Sequence, residues 1–304
     1  MSADALESLN RKFGFPNTLC FVSGEGGLPF ILIRTPTATA EICLHGAQLT
    51  AFHPASEEQP VIWLSPTAVW DSSKAIRGGI PVCWPWFGDH PSDPEKPAHG
   101  FARTSLWEVI ATSQPESDII RVELNLPADA APTELFAPAF ELTLVITVAD
   151  TLSLELTTTN RSPDPFEITE ALHTYLNVGA IETVRCVGLN GIGYRDKMDG
   201  FQSKRQSGDI LFDSPVDRVY EGTSAEVLVH DPAFDRKIRV SKSGSDTTVI
   251  WNPWISGAAR FGDMPEKGYR TMVCVEAANA GADSLTLQPG EIHSLSTTIG
   301  VEAP

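Results

Sequence analysis

The clearest pattern in this chain is the alternation of apolar and polar residues that is typical of half-buried β-strands. In the stretch "DIIRVELNL", every second position is apolar, at Ile120, Val122, Leu124 and Leu126. The stretch "FELTLVITVADTLSLELTTTN" predicts two further strands on either side of its central Ala-Asp pair, and "VRCVGLNGIGYRD" and "IRVSKSGSDTTVIWN" add more. The pattern therefore predicts an all-β fold.

Helical patterns are few, and turn-forming residues separate the predicted strands. The stretch "ADALESLNRKF" predicts a short helix near the N-terminus, and the residues after Trp254 predict one helical turn. The 23 prolines and 23 glycines lie mainly between strands, where turns require them. Because no linker or change in composition divides the chain, we expect residues 1–304 to form one large antiparallel β-sandwich domain.

The stretch "FEITEALHTYLNVG" contains the first candidate for chemistry. Interpreted as one strand, it puts His173 and Tyr175 on a polar face, opposite Leu172 and Leu176. Glu170 interrupts the apolar face. Histidine can give or take a proton near neutral pH. It can equally be a structural residue whose ring is hydrogen-bonded by its neighbours, and this stretch alone does not decide between the two.

A second candidate lies in "YRTMVCVEAANAG", where Glu276 shares a strand face with Met272 and Cys274. A carboxylate among such neighbours is partly desolvated, and desolvation raises its pKa. A glutamate with a raised pKa suits general base catalysis near neutral pH. The alternative is a buried glutamate that pairs with an arginine for structural reasons.

Two segments offer arginines in otherwise apolar or glycine-containing surroundings. Arg77 is the one charged residue of "IRGGIPVCWPWFG", while His99 and Arg103 flank Gly100 in "PAHGFARTSLWEV". Arginine forms bidentate hydrogen bonds with phosphate and with vicinal hydroxyls. We expect the glycines of both segments to let a ligand approach the backbone. Both arginines could instead pair with some of the many carboxylates of this chain.

Charge and cysteine content narrow the classes of function. The net charge of −17 and the absence of a basic run exclude a nucleic-acid partner. Five cysteines, none in a C-x-x-C pair, indicate free thiols in a cytoplasmic protein rather than disulfides or a zinc site. The sequence "MSADALESLNRK" lacks the apolar core of a signal peptide, and no stretch approaches the roughly 18 apolar residues of a membrane span.

Six motifs, taken in order along the chain, resemble those of the aldose 1-epimerase (galactose mutarotase-like) superfamily. They are "RGGIPVCWPWFG", "HGFAR", "EALHTYLNVG", "DRVY", "VIWNPW" and "VCVEAANA", and they span Arg77 to Ala280. Within the superfamily, the chain is most similar to the glucose-6-phosphate 1-epimerase (hexose-6-phosphate mutarotase) family. The resemblance implies an all-β antiparallel supersandwich with few short helices and a sugar site on one open sheet face. It also implies a reaction without a metal or an organic cofactor.

The same resemblance implies roles for individual residues. His173 corresponds to the general acid that protonates the ring oxygen, and Glu276 to the general base that takes the proton from the anomeric hydroxyl. Four further positions correspond to substrate-binding residues: Arg77, His99, Arg103 and Asp217. Asp213 lies close to Asp217 in the sequence, and which of the two belongs to the site stays open. The chain departs from some members at Ala98, where they carry an amide side chain, and its stretch "ISGAARFGDMPEKG" has few lysines.

These observations predict an isomerase that interconverts the α and β anomers of glucose 6-phosphate and similar sugar phosphates. We expect a monomer in the cytoplasm whose partner is a small sugar phosphate, with no membrane or nucleic-acid partner. Three alternatives remain: an aldose 1-epimerase for free sugars, a non-catalytic sugar-phosphate binding module, and a glycosidase that uses Glu276 and Asp217 as paired carboxylates.

Overall fold

The computed structural model describes residues 1–128 and 132–303, most of which lie in antiparallel β-sheets or the turns between them. Two α-helices occur among these residues, α1 (Ala3–Phe13) and α2 (Trp254–Ala258). They confirm the two predicted helical segments. No helix in this part of the chain has the length and apolar character needed to cross a membrane.

The strands account for the fold class, and the all-β prediction is confirmed. In chain order they are β1 (Leu19–Ser23), β2 (Pro29–Arg34), β3 (Ala38–Cys43), β4 (Gln48–Pro54), β5 (Val82–Cys83), β6 (Glu108–Glu116), β7 (Ile119–Leu126), β8 (Phe140–Val148), β9 (Leu152–Asn160), β10 (Phe166–Ile168), β11 (Glu170–Leu172), β12 (Tyr175–Asn177), β13 (Arg185–Val187), β14 (Gly193–Asp196), β15 (Gln202–Arg205), β16 (Ile210–Leu211), β17 (Val216–Glu221), β18 (Val227–Asp231), β19 (Arg236–Ser243), β20 (Thr247–Asn252), β21 (Met272–Asn279), β22 (Leu285–Leu287) and β23 (Ile292–Glu302).

Two large sheets form the body of the molecule. A nine-stranded sheet has the order β16-β13-β18-β19-β23-β9-β8-β7-β6. An eight-stranded sheet has the order β15-β14-β17-β20-β21-β11-β5, with β12 also pairing with β21. Strands β1 to β4 form a separate four-stranded sheet, and β10 pairs with β22. Apolar side chains from the large sheets belong to one buried cluster, so the sheets form a sandwich around a common core.

The alternation read from the sequence matches burial in the long strands. Ile120, Val122, Leu124 and Leu126 of β7 are all at most 1% exposed, whereas the residues between them are partly exposed. The two strands predicted from "FELTLVITVADTLSLELTTTN" are β8 and β9, which pair directly with each other. Burial of one face fixes the register of such strands, because a shift by one residue would expose the whole apolar set.

The prediction of one continuous strand over "FEITEALHTYLNVG" is wrong. The segment forms three short strands, β10, β11 and β12, because its backbone also bonds to residues 79–85, which contain the two-residue strand β5. His173 N donates to Pro81 O at 3.0 Å, and Tyr175 N donates to Gly79 O at 3.0 Å. Glu170 lies in the core between the sheets with no exposed surface. Its interruption of the apolar face therefore marks a buried carboxyl group and not a solvated one.

Candidate functional site

A cleft of about 480 Å³ lies on the face of the eight-stranded sheet that is turned away from the sandwich core. Its volume falls within the range of small-molecule sites, roughly 300–1,000 Å³. The cleft lining includes all six residues predicted for the site: Arg77, His99, Arg103, His173, Asp217 and Glu276. Glu276 comes from β21 and Asp217 from β17, His173 lies between β11 and β12, and the other three come from the loops around β5.

His173 and Glu276 face each other across the floor of the cleft. The imidazole Nε2 lies 3.4 Å from the carboxyl Oε1, and the side chains are 12% and 1% exposed. Within the described part of the chain, His173 Nδ1 and Glu276 Oε2 find no hydrogen-bond partner although both atoms are buried. Unpaired buried polar atoms are costly, so two of them in one cleft indicate groups that await a ligand.

Burial shifts the pKa values of His173 and Glu276 in opposite directions. The pKa of Glu276 is raised well above its ordinary value, first by desolvation and then by the charge of Asp217. The pKa of His173 is lowered well below its ordinary value, first by desolvation and then by the neighbouring His99 and Arg103. Desolvation disfavours a charged form of either group. Burial in the cleft therefore favours a protonated carboxyl beside a neutral imidazole.

Aromatic rings hold the imidazole of His173 in place. Tyr175 stacks on it with a ring separation of 4.8 Å and an interplanar angle of 14°, as expected from their predicted common face. Trp251 contacts it edge-on at 5.9 Å, and His99 does so at 5.8 Å. These contacts restrict rotation of the ring, so its Nε2 stays directed at the cleft floor.

The two predicted arginines lie at the cleft in different surroundings. Arg77 Nε donates to Asp263 Oδ1 at 3.1 Å, and its Nη1 donates to the Tyr175 hydroxyl at 3.2 Å. Arg103 Nη2 donates to the carbonyl of Ala98 at 2.6 Å, while its buried Nε has no partner among the described residues. Of the two arginines, Arg103 thus keeps more of its hydrogen-bonding capacity available for a ligand.

His99 and Asp217 complete the predicted set. His99 Nδ1 accepts a hydrogen bond from Gly88 N at 3.2 Å, and burial lowers the pKa of its ring to about 3, so the ring is neutral. Asp217 Oδ2 forms an ion pair with Lys197 Nζ at 3.1 Å, and burial raises the pKa of Asp217. Asp213 is exposed and accepts a hydrogen bond from Ser214 Oγ at 3.0 Å. It is therefore Asp217 that lies at the cleft.

The glycines beside the two arginines are required by the packing of the protein itself, whereas the approach of a ligand to them stays a prediction. Gly79 has φ +68° and Gly100 has φ +68°, in the left-handed region that favours glycine. A Cβ on Gly79 would lie 2.3 Å from Leu49 O, and one on Gly100 would lie 2.0 Å from Trp84 O. These glycines are required because the protein backbone itself passes close to them. They fix the loops that carry Arg77 and Arg103.

Comparison with known proteins shows which family the chain belongs to. A family model described as aldose 1-epimerase matches residues 29–300. The chain belongs to the aldose 1-epimerase family. It is accordingly an isomerase. The family assignment made from the six motifs is confirmed, because proteins provisionally named glucose-6-phosphate 1-epimerase match most of the chain. The relative from Escherichia coli K12 is 36% identical over 83% of this chain and 84% of its own. The relative from Cenchrus ciliaris is 34% identical over 89% and 84%.

Two solved structures agree with the sandwich described above. The crystal structure of a protein from Salmonella typhimurium, provisionally named a mutarotase (YeaD), superposes with a TM-score of 0.89 at 31% identity and covers 96% of each chain. A galactose mutarotase-like protein from Clostridium acetobutylicum superposes with a TM-score of 0.73 at 14% identity, over 94% of this chain and 98% of its own. The second likeness shows the fold alone.

At the cleft floor, two lining residues and one buried cysteine beneath them form a set of donor atoms that could hold a metal ion. All five cysteines are free thiols, as predicted, but the fold brings Cys274 close to His173 and Glu276. One donor atom from each of His173, Cys274 and Glu276 lies within 4.8 Å of the others. The spacing of these residues along the sequence gives no sign of this cluster. Burial raises the pKa of the Cys274 thiol well above its ordinary value, so the thiol is protonated unless a metal displaces the proton.

Several cleft residues of this family member were not predicted from its sequence. Lys197, Trp251, Phe261 and Asp263 all line the cleft. Lys197 directly follows β14, which pairs with the "DRVY" strand β17, but that pairing is visible only in the fold. Asp263 lies in the stretch that was noted only for its few lysines. Ala98, where an amide was expected from some family members, also lines the cleft.

Proposed function

We propose that the protein is a hexose-6-phosphate mutarotase that interconverts the α and β anomers of glucose 6-phosphate and similar sugar phosphates. The single observation that carries this proposal is the contact between His173 and Glu276 in a cleft that also holds arginines. Anomer exchange needs one proton removed from O1 and one delivered to the ring oxygen. A pair of acid–base groups 3.4 Å apart supplies both.

In the proposed reaction, Glu276 takes the proton of the anomeric hydroxyl while His173 protonates the ring oxygen. The bond between C1 and the ring oxygen breaks, and C1 becomes an aldehyde carbon. Rotation about the C1–C2 bond presents the other face of the aldehyde. Closure on that face returns one proton from the C5 hydroxyl to His173 and gives the proton of Glu276 to the new anomeric oxygen. Atoms and protons balance over the cycle, and no nucleophile or electron carrier takes part.

The pair needs only one proton, which either partner can hold. The raised pKa of Glu276 and the lowered pKa of His173 favour the arrangement with the proton on the carboxyl group. That arrangement is the one ring opening would leave behind. A transfer across the 3.4 Å between Oε1 and Nε2 produces the opposite arrangement, with an ionised carboxylate and an imidazolium. The two groups therefore titrate as a coupled pair and not as independent residues.

The phosphate part of the proposal rests on local charge. A chain with a net charge of −17 repels an anionic sugar at long range, so binding needs cationic groups concentrated in the cleft. Arg103 supplies an unpartnered buried Nε, and Arg77 has N–H groups beyond those bonded to Asp263 and Tyr175. We propose that these arginines hold the 6-phosphate, while His99 and Asp217 contact sugar hydroxyls.

One specific observation keeps free aldoses as a second candidate substrate class. The charge of Arg77 is already balanced by Asp263 at 3.1 Å, which suits a neutral hydroxyl as well as a phosphate. Anomerisation of pure α-glucose 6-phosphate and of α-glucose, followed by polarimetry, distinguishes the two classes.

The test of phosphate binding uses Arg103→Ala and Arg77→Ala with both sugars. Removal of a charged hydrogen-bonding partner costs about 1.5–3 kcal/mol, so kcat/KM for glucose 6-phosphate should fall roughly ten- to a hundredfold and that for glucose far less. Arg161→Ala is the matched control. Arg161 directly follows β9, is exposed and forms an ion pair with Glu141 of β8, outside the cleft lining. An equal decline for both sugars would mean that the arginines orient the ring or maintain the fold.

A further inference from the structure

Asp263 has no part in the reaction described above, yet its carboxylate lies in the cleft against Arg77. The Nε of Arg77 donates to Oδ1 of Asp263 at 3.1 Å, and both side chains are 22% exposed. The backbone carbonyl of Asp263 accepts a hydrogen bond from Ser65 Oγ at 2.6 Å, which ties the segment after α2 to the body of the protein. The carboxylate is thus held in place beside the guanidinium.

The guanidinium of Arg77 is held from three sides. Asp263 accepts from Nε, the hydroxyl of Tyr175 accepts from Nη1 at 3.2 Å, and the ring of Phe261 lies 4.3 Å from the central carbon. Arginine has five N–H groups in a rigid plane, and these contacts engage two of them. Nη2 of Arg77 has no hydrogen-bond partner among the described residues. It is the nitrogen left for a ligand.

Arg103 provides the contrast within the same cleft. Its one hydrogen bond within the described residues goes to a neutral carbonyl, that of Ala98 at 2.6 Å. None of the ion pairs among the described residues involves Arg103. A phosphate that contacts both guanidinium groups would therefore meet a full positive charge at Arg103 and a largely balanced one at Arg77.

We propose that Asp263 is a specificity-determining residue that competes with the substrate phosphate for Arg77 and thereby sets the preference between phosphorylated and free hexoses. This inference rests on the proposed function, because it takes the 6-phosphate to approach the arginines. A phosphate bound to Nη2 lies a few ångströms from the Asp263 carboxylate, and like charges at that distance repel. A neutral hydroxyl in the same position meets no such repulsion and still gains from an arginine that is fixed in place.

The test separates the charge of Asp263 from its hydrogen bond. Asp263→Asn keeps an oxygen that can accept from Arg77 Nε but removes the negative charge, whereas Asp263→Ala removes both. Asp213→Asn is the matched control for overall charge, because Asp213 is an exposed carboxylate outside the cleft lining. For each protein, kcat and KM are measured with glucose 6-phosphate and with glucose. Inorganic phosphate is tested as a competitive inhibitor.

We expect Asp263→Asn to raise the ratio of kcat/KM for glucose 6-phosphate over glucose about three- to tenfold, the size of one screened charge–charge contact. The change in this ratio should come mainly from a lower KM for glucose 6-phosphate. The inhibition constant of inorganic phosphate should fall by a similar factor. Asp263→Ala should raise KM for both sugars, because Arg77 loses its acceptor. Asp213→Asn should leave the ratio at the wild-type value.

An unchanged or lower ratio in Asp263→Asn would overturn the proposal and leave Asp263 as a structural support of Arg77. If Asp263→Asn does not fold, Asp263→Ser supplies a neutral acceptor and is judged by the same ratio. Whether the proposed function is wrong is decided separately, by the efficiency of the wild-type protein with the two sugars. In that case the wild-type enzyme anomerises glucose at least as efficiently as glucose 6-phosphate.

Discussion

Glu276→Gln is the substitution that separates catalysis from stability at the cleft floor. Glutamine has nearly the same shape as glutamate, so the packing of β21 is preserved while the ionisable group is lost. A positioned acid–base group contributes about 10²–10⁴-fold to a rate, which corresponds to about 2.7–5.4 kcal/mol of activation free energy. We expect kcat to fall by that factor with little change in KM, since in the proposed reaction Glu276 acts on the proton that moves.

The same substitution should stabilise the fold at neutral pH. The pKa of Glu276 is raised in the folded state, mainly by burial, so between its ordinary pKa and its folded pKa the native protein binds more protons than the unfolded chain. Stability therefore falls as the pH rises through that interval. Each unit of pKa elevation costs about 1.4 kcal/mol. Glutamine carries no such cost, and Tm should rise by about 2–4 °C for each kcal/mol recovered.

Polarimetry and thermal unfolding at pH 7.5 measure the two effects on the same preparations. Glu170→Gln is the matched control, because Glu170 is another fully buried glutamate of the eight-stranded sheet, with a pKa raised to about 8 by burial. It lies outside the cleft lining, so its substitution should raise Tm and leave turnover near that of the wild type. Near wild-type turnover in Glu276→Gln would refute the assignment of the base. A lower Tm with lost activity would indicate a structural role.

Three further predictions follow from the same pair. His173→Asn should also reduce turnover by orders of magnitude. In the double variant with Glu276→Gln, the increase in activation free energy should be smaller than the sum of the two single increases, because the groups act as a unit. Additive increases would contradict this. Turnover should be insensitive to EDTA, and full loss with rescue by one divalent ion would assign a role to the donor set at Cys274. The lowered pKa of His173 places the acidic limb of the pH–rate profile below pH 6.5. A limb above that value would show that burial does not set the protonation of His173.

The strands of this protein could be predicted from the sequence where one face is buried and the other is not. In β7 and β8, regular alternation follows directly from the two environments of the sheet. The segment from β10 to β12 could not be predicted in this way, because its boundaries depend on backbone hydrogen bonds to residues about 90 positions earlier in the chain. Alternation records burial but contains no information about such long-range partners.

The candidate site was predictable to the extent that its residues belong to recognisable motifs. His173 and Glu276 lie together in the cleft, and so do Arg77, His99, Arg103 and Asp217. Asp263 and Lys197 were missed, because each acts through a contact made only in the folded chain, with Arg77 and Asp217 respectively. A single carboxylate or ammonium group in a loop resembles any solvated residue until its partner is known.

The central claim is that the cleft anomerises a phosphorylated hexose, and one measurement tests it most directly. The wild-type enzyme is mixed in turn with pure α-glucose 6-phosphate and pure α-glucose at matched concentrations, and the loss of optical rotation above the spontaneous rate gives kcat/KM for each sugar. The account predicts acceleration of both rates, with a clearly higher kcat/KM for glucose 6-phosphate. Equal or higher efficiency with glucose would contradict the assignment of the phosphate to the arginines, and no acceleration with either sugar would contradict catalysis by His173 and Glu276.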